Sequence, residues 1–195
     1  MIAIIDYDAG NIRSVGNALQ RLGAQYELTA DPARILAADK VILPGVGNAA
    51  RAMENLRERG LCELIKGLRR PVLGICVGMQ LMCRDSEEGP TQGIGLFDAH
   101  VRRFAEAPDA KVPHMGWNAL GNLDSKLFRG LSGGCFVYFV HSYYAGLGPD
   151  TIATCRHGAQ LFSAALKYEN FYGTQFHPEK SGSVGAAILQ NFLAL

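Results

Sequence analysis

RPVLGICVGMQ, residues 70–80, decides the fold, because a strand-like apolar run ends there at a cysteine enclosed by two glycines. Gly74, Cys76 and Gly78 form the pattern G-x-C-x-G, a sulfur version of the turn that carries a nucleophile between a strand and a helix. Such a turn holds its central residue in strained backbone angles, and glycines two residues away remove the resulting clashes. The pattern predicts a strand, a sharp turn and a helix, with Cys76 presented at the end of a sheet.

Cysteine at such a turn is suited to attack on a carbonyl carbon. The N terminus of the following helix favours the thiolate over the thiol, and the backbone N–H of Val77 can donate to the oxyanion that attack creates. The alternative is a buried cysteine packed beside a tight turn, since cysteine is often buried. The remaining cysteines have no glycine flanks and are predicted to lie in the core; they are Cys62, Cys83, Cys135 and Cys155.

A histidine and a carboxylate two residues apart supply a base for this thiol. In the stretch GTQFHPEKS, residues 173–181, Pro178 keeps the preceding residue extended, so His177 and Glu179 point to the same side. Glu179 can then accept from Nδ1 of His177 and leave Nε2 for the sulfur, which is the logic of a catalytic triad. A surface turn that happens to contain His-Pro-Glu is the alternative, and the cysteine turn in the same chain argues against it.

The first 95 residues alternate strand and helix, which predicts an α/β fold with right-handed βαβ units and a parallel sheet. The predicted strands are MIAIID (1–6), a short apolar run suited to a buried parallel strand, and QYELT (25–29), KVILPG (40–45) and PVLGIC (71–76). One helix is predicted after Asn11, ending by Gly23. A second helical stretch is predicted from Met53 to about Leu68, with a break at Gly60.

The second half is rich in strand-like segments separated by glycine-rich turns such as LSGG and AGLGPD, which predicts antiparallel additions to the parallel core. These segments are LFDAHVRRF (96–104), KVPHMGWNAL (111–120), CFVYFVHSYY (135–144), TIATCRHG (151–158), LFSAALKYE (161–169) and FYGTQFH (171–177). A last helix is predicted over 181–193. The polar stretch RDSEEGPTQGIG, residues 84–95, is predicted as a surface loop within one domain.

Composition excludes several classes of function. The 195 residues carry 19 basic and 18 acidic side chains, a net charge of +1, which leaves no electrostatic footprint for nucleic acid or an anionic membrane. No apolar run approaches the ~20 residues of a membrane span. The opening MIAIIDYDAG lacks a basic leader and is interpreted as a first strand rather than a signal peptide. Five cysteines without a C-x-x-C pair argue against disulfides or a zinc site, so we expect a reducing cytoplasm.

Two motifs together resemble the class I glutamine amidotransferases: GICVGMQ at 74–80, and FHPEKS about a hundred residues later at 176–181. The resemblance runs along the whole chain, residues 1–195, as one domain of flavodoxin-like fold. It implies glutaminase activity on the side-chain amide of L-glutamine. It also assigns the catalytic roles to Cys76, His177 and Glu179, the residues chosen above from their chemistry.

Further stretches are similar to the glutaminase subunits of imidazole glycerol phosphate synthases in histidine biosynthesis. They are IIDYDAGNIRSV, LPGVG, PHMGWN, YFVHSYY and the lysine of HPEKS. This resemblance implies further oxyanion donors at Val46 and Gly47, and contacts to glutamine from Gln80, Ser142 and Tyr143. For Gln80 the alternative is a solvated helix residue. The resemblance implies no metal and no cofactor.

The same resemblance implies a partner, a cyclase subunit folded as a (β/α)₈ barrel that consumes the ammonia in a heterodimer. No residues are left over for that second reaction. The predicted docking face consists of Asn11, Trp117, Tyr138 and Lys180. Asn11 and Lys180 lie next to the predicted catalytic edge, and large aromatic residues often anchor interfaces. Burial of the two aromatics in the core is the alternative.

Other functions remain open on the sequence. The chain could serve a different amidotransferase, act alone as a γ-glutamyl thiol hydrolase, or be a stress or redox sensor with a reactive cysteine. Glutamine hydrolysis distinguishes the glutaminase from both the thiol hydrolase and the sensor. A carboxylate beside His177 already argues against a sensor, which needs no such base.

Overall fold

The computed structural model describes residues 1–8, 10 and 12–195, and in them the chain forms thirteen strands and six α-helices. The strands are β1 (Ile2–Ile5), β2 (Tyr26–Thr29), β3 (Lys40–Leu43), β4 (Val72–Ile75), β5 (Asp85–Ser86), β6 (Thr91–Gln92), β7 (His100–Arg103), β8 (His114–Ala119), β9 (Phe136–His141), β10 (Tyr143–Ala145), β11 (Thr151–His157), β12 (Gln160–Tyr168) and β13 (Phe171–Thr174). The helices are α1 (Ile12–Arg21), α2 (Pro32–Ala37), α3 (Ala49–Glu58), α4 (Leu61–Gly67), α5 (Val77–Met82) and α6 (Gly182–Leu193). Two 3-10 turns cover Lys126–Phe128 and Pro178–Lys180.

Five parallel strands, in the order β2-β1-β3-β4-β13, form the half of the main sheet that positions the site. Every residue of β1, β4 and β13 is buried, and for β1 the continuous apolar run predicted this. Because the strands are parallel, the residues that follow β3, β4 and β13 meet at one edge of the sheet. That edge therefore gathers the loop after Leu43, the turn at Cys76 and the segment that leads to His177.

The sheet continues from β13 through β12, β10, β7, β5 and β6, with β11 paired to β12. The antiparallel pairing of β12 with β13, β11 and β10 confirms the additions predicted for the second half. The position of β13 differs from the prediction, because it is a central strand parallel to β4. Gly173 explains how it fits there: a Cβ at this position would lie 2.3 Å from Cγ of Met79, so only glycine lets α5 cross the strand.

Strands β8 and β9 also differ from the prediction, since among the described residues they pair with each other alone, in a separate two-stranded sheet. The chain returns to the main sheet through β10, three residues long. The predicted surface loop at 84–95 contains the short antiparallel pair β5–β6. A detached two-stranded sheet leaves one face of its strands open to solvent, and Trp117 lies on one of these strands.

The helix boundaries follow ordinary capping rules. Gly23 ends α1 with a φ of +72°, and Gly60 separates α3 from α4 with a φ of +66°, both as predicted. Helix α2 was not predicted, although its signal is present: the side chain of Asp31 accepts from the N–H of Ala33, and Pro32 opens the helix. No helix in the described part of the chain is long and apolar enough to cross a membrane.

Candidate active site

Cys76 occupies the predicted turn between β4 and α5, in a backbone conformation that a side chain rarely adopts. Its φ is +53° and its ψ is −111°, which is a strained state for a residue other than glycine. A Cβ at Gly78 would lie 2.0 Å from the carbonyl oxygen of Leu43, and one at Gly74 would lie 2.8 Å from the nitrogen of Met79. The glycines are therefore required by close backbone packing, and the turn prediction is confirmed.

His177 and Glu179 form the predicted pair at the end of the chain segment that follows β13. Nδ1 of His177 lies 2.8 Å from Oε1 of Glu179, and the side chains are only 2% and 1% exposed. The backbone of His177 is extended, with φ −96° and ψ 96°, and Pro178 begins a 3-10 turn that brings Glu179 back toward the ring. Because Glu179 accepts at Nδ1, that nitrogen carries the hydrogen and Nε2 is left for a reaction.

The protonation of His177 is set by its two neighbours. Burial alone would lower the pKa of His177, but the Cys76 sulfur and the Glu179 carboxylate outweigh burial and raise it from the ordinary 6.5 to about 10. Nε2 of His177 is buried, and the group beside it is the Cys76 sulfur. The imidazolium is thus held beside the sulfur at neutral pH, where it can give a proton to a leaving group.

A cavity of about 330 Å³ opens onto the sulfur. Its lining brings together Cys76, His177 and all six residues predicted as oxyanion donors or substrate contacts. The lining residues are Val46, Gly47, Cys76, Val77, Gln80, Glu88, Pro113, Val140, His141, Ser142, Tyr143 and His177. The structure therefore places every predicted triad, oxyanion and glutamine-contact residue at one site, with Glu179 just behind His177.

Gln80 is buried rather than solvated, so the alternative for this residue is wrong. Its Nε2 donates to the carbonyl oxygen of Tyr143 and to Oε1 of Gln175, both at 2.9 Å. Both amide hydrogens are used in this way, and only Oε1 of Gln80 is left for a ligand. Gln80 can therefore accept a hydrogen bond in the cavity but cannot donate one.

The sequence analysis missed three residues of the site. Glu88 lines the cavity and accepts from the N–H of Ala49 at 2.8 Å, and burial raises its pKa. Gln175 is fully buried, with Nε2 lying 3.6 Å from the sulfur of Cys76. His141 lies in the cavity wall. The acidic pair in SEEGP was the available signal for Glu88, whereas nothing near Gln175 in sequence marks its contact with residue 76.

A buried tyrosine supports the loop that carries the predicted oxyanion donors. The hydroxyl of Tyr7 donates to the carbonyl oxygen of Pro44 at 2.5 Å. Burial, and then the charge of Cys76, raise the pKa of Tyr7, so its hydroxyl stays protonated as a donor. No group of three or more metal-ligating side chains occurs in the described ranges.

Three of the four predicted interface residues lie together. The rings of Trp117 and Tyr138 are 6.1 Å apart, edge to face, and Nζ of Lys180 lies 5.9 Å from the Tyr138 ring centre. Trp117 is 55% exposed, so its predicted alternative of burial in the core is wrong. The backbone N–H of His177 donates to the carbonyl of Tyr138 at 2.9 Å, which joins this surface to the catalytic segment. Asn11 lies outside the described residues.

Comparison with known proteins agrees with this site. Residues 3–195 match the family model for class I glutamine amidotransferases. The chain is 54% identical over 195 residues to imidazole glycerol phosphate synthase subunit HisH of Bacteroides thetaiotaomicron, covering 100% of this chain and 99% of that protein. It is 45% identical over 196 residues to the subunit HisH of Escherichia coli, with the same shares covered.

Among solved structures, the crystal structure of a glutamine amidotransferase superposes with a TM-score of 0.74 at 19% identity, covering 100% of this chain and 98% of that one. That likeness concerns the fold alone. Because a family model spans almost the whole chain and full-length relatives share about half of its residues, the chain belongs to the class I glutamine amidotransferases and, within them, to the family of imidazole glycerol phosphate synthase subunit HisH.

Proposed function

We propose that this chain is the glutaminase subunit of imidazole glycerol phosphate synthase. It hydrolyses L-glutamine to L-glutamate and ammonia, and a (β/α)₈-barrel cyclase subunit uses the ammonia to form imidazole glycerol phosphate and an aminoimidazole carboxamide ribonucleotide. One observation carries the proposal: Cys76 lies on a strained turn in the same cavity as His177, and Nδ1 of His177 donates to the buried carboxylate of Glu179.

In the first half of the reaction, the Cys76 thiolate attacks the amide carbon of glutamine and forms a C–S bond. The negative charge moves to the carbonyl oxygen, where the backbone N–H groups of Val77 and of the loop at Val46 and Gly47 are our candidates to hold it. His177 gives its Nε2 proton to the amide nitrogen, the C–N bond breaks and ammonia leaves. The raised pKa of His177 supports this role, because the ring carries that proton at neutral pH.

In the second half, water hydrolyses the thioester. Neutral His177 takes a proton from the water, the hydroxide adds to the acyl carbon, and the C–S bond breaks to release glutamate and the thiolate. Glu179 keeps Nδ1 protonated throughout, so the ring presents the same nitrogen in both halves.

The cavity also offers groups that suit the amino-acid part of glutamine. Gln80 offers only an acceptor, and Glu88 offers a carboxylate in the same wall. Both are complementary to the α-ammonium group. Ser142 and Tyr143 complete the wall and are our further candidates for contacts to the substrate.

The partner surface lies one hydrogen bond from the catalytic segment. Tyr138 accepts from the N–H of His177, and its own N–H is bound by the Ser181 hydroxyl at 2.9 Å. Exposed apolar side chains cluster on the β8–β9 sheet around it: Met115, Trp117 and Phe136. An exposed apolar patch of this kind favours an interaction site, and we infer that the cyclase docks there.

Glutamate release with and without the cyclase tests the proposal. Cys76→Ser should abolish glutamate release while thermal unfolding stays close to wild type, because the change is nearly isosteric. The wild-type chain alone should be slow, and cyclase loaded with its nucleotide ligand should raise the rate. Glutaminase activity retained by Cys76→Ser would overturn the nucleophile assignment. Equal rates with and without cyclase would instead indicate an autonomous glutaminase.

A further inference from the structure

A buried chain of hydrogen-bonded amide groups leads to the sulfur of Cys76. It begins at the carbonyl oxygen of Tyr143, which accepts from Nε2 of Gln80 at 2.9 Å. The same Nε2 donates to Oε1 of Gln175 at 2.9 Å. Nε2 of Gln175 then lies 3.6 Å from the sulfur. Gln80 and Gln175 are both buried, so water does not compete for these groups.

The hydrogen bonds between these amide groups can have only one donor-to-acceptor direction. The carbonyl oxygen of Tyr143 is an acceptor, so the nitrogen of Gln80 must face it. Because that nitrogen also faces Gln175, the atom of Gln175 next to it must be the oxygen. The amide nitrogen of Gln175 is thereby forced toward Cys76.

The Tyr143 carbonyl that fixes this direction is itself held from a second side. Nδ1 of His141 lies 2.7 Å from it and donates. His141 in turn accepts at Nε2 from Nδ1 of His114, 3.0 Å away, and His114 accepts at Nε2 from Asn118 at 3.2 Å. Each neutral imidazole therefore uses one nitrogen as a donor and the other as an acceptor. The Tyr143 carbonyl oxygen, where the amide chain begins, accepts two hydrogen bonds.

We propose that Gln175 is a catalytic residue that donates a hydrogen bond to the Cys76 thiolate, with Gln80 and the Tyr143 carbonyl fixing the direction of its amide. The inference rests on the proposed glutaminase function. A donor to a thiolate stabilises the charged sulfur before attack and after the thioester breaks. His177 cannot donate to the sulfur during the whole reaction cycle, because it gives its proton to the departing nitrogen. Gln175 keeps its proton during the whole cycle.

Two substitutions of Gln175 separate hydrogen-bond donation to the sulfur from anchoring of the Gln80 side chain. Gln175→Met keeps the bulk and removes the donor. Gln175→Glu keeps an oxygen for Gln80 but places a second oxygen, rather than N–H, against the sulfur. Thr174→Val is the matched control, because Thr174 is the preceding residue, is equally buried, and its hydroxyl has no partner in the described part of the chain.

The measurement is the rate of Cys76 alkylation by iodoacetamide against pH, together with kcat/KM for glutamine in the complete complex. The ionisable groups around the sulfur are His177, backed by Glu179, and Tyr7, and Glu88 and His141 line the same cavity. All of these are unchanged in the variants, so a difference in Gln175→Met reports the amide, whereas Gln175→Glu also adds a carboxylate beside the sulfur. Gln175→Met should move the midpoint of alkylation up by about one pH unit and lower kcat/KM about tenfold. Gln175→Glu should be affected at least as strongly, and Thr174→Val should match wild type.

Wild-type alkylation in Gln175→Met would overturn the proposal. Wild-type behaviour of Gln175→Glu would also overturn it, because anchoring of Gln80 would then be the whole role. Circular dichroism of each variant checks that the fold is retained. If wild type released no glutamate while the alkylation midpoint still shifted, the glutaminase function would fail and the donor role would stand.

Discussion

The backbone of Gly45 lies directly against the backbone of Gly78. A Cβ at Gly45 would be 2.3 Å from the nitrogen of Gly78, and a Cβ at Gly78 would be 2.0 Å from the carbonyl oxygen of Leu43. The loop after β3 and the turn after β4 are therefore packed with no room for a methyl group on either side. This contact sets the separation between Cys76 and the loop that carries Val46 and Gly47.

A methyl group at this contact should destabilise the fold. Gly78→Ala is expected to lower the free energy of unfolding by about 1–3 kcal/mol, because backbone must move to make space. Gly67→Ala, at the end of α4, is the control, since a Cβ there meets no atom within 4 Å. It should stay within about 1 kcal/mol of wild type. Urea unfolding measures both, and equal stabilities would contradict the close packing.

The alkaline limit of activity should depend on Glu179. Its carboxylate is one of the two groups that raise the pKa of His177 to about 10. In Glu179→Gln that pKa falls, so the imidazolium that protonates the leaving nitrogen is lost at lower pH. The alkaline limb of kcat/KM should move down by about one pH unit or more. Glu63→Gln, which removes an exposed carboxylate on α4, should leave the limb unchanged.

The same shift has a consequence for stability. Because the folded pKa of His177 lies above the unfolded value of 6.5, its contribution is fully present below pH 6.5 and is lost as the pH rises through about 10. Wild type should therefore lose unfolding free energy over that window more steeply than Glu179→Gln. Parallel stability curves between pH 7 and 10 would contradict the assignment of the shift to Glu179.

The features that sequence could predict are those whose cause is local. The glycines that flank Cys76 and the proline between His177 and Glu179 act within a few residues, and the triad was predicted from them. The contact of Gln175 with Cys76 depends on two strands pairing across 99 residues of chain, and no local pattern records it.

The strand-like segments at 111–120 and 135–144 predicted β8 and β9 as strands but not their detachment from the main sheet. A strand-like segment can be covered on one face by protein or left open to solvent. The sequence therefore did not predict whether Trp117 is exposed. Its exposure follows from the pairing of β8 with β9 outside the main sheet. The central position of β13 was missed for a similar reason, since pairing partners are set by tertiary packing.

Alkylation should select Cys76 from the five cysteines, all of which are free. Burial raises the pKa of each of the other four, to about 12 for Cys155 and beyond that for Cys83. Cys62 and Cys135 are partly accessible but remain thiols at neutral pH. A glutamine-like electrophile at limiting amounts should label Cys76 first, as peptide mapping would show. Earlier labelling of Cys62 or Cys135 would contradict the expected order.

Acid should destabilise the fold through two buried histidines. Burial, with the charge of His157, lowers the pKa of His114 to about 4, and burial lowers that of His141 to about 3. Unfolded histidines bind protons near pH 6.5, so between pH 6.5 and 4 the unfolded chain binds more protons and stability falls as the pH falls. In His114→Asn the slope should shrink by about 1.4 kcal/mol per pH unit. Equal slopes between pH 4.5 and 6 would contradict this.

Trp117 should anchor the partner subunit. It is 55% exposed, lies edge to face with Tyr138 and belongs to a strand that pairs only with β9, so its removal exposes no core of the free chain. Trp117→Ala is expected to weaken binding of the cyclase subunit by at least about tenfold, because central aromatic anchors cost more than about 1 kcal/mol when truncated. Tyr168→Ala provides the control, since Tyr168 is 46% exposed on β12, outside this patch. Titration calorimetry with the cyclase measures both affinities, and thermal unfolding of the free chains should be unchanged. If the two variants bound the cyclase equally well, the docking face would lie elsewhere on the molecule, and the inference that the cyclase docks on the β8–β9 sheet would lose its structural basis.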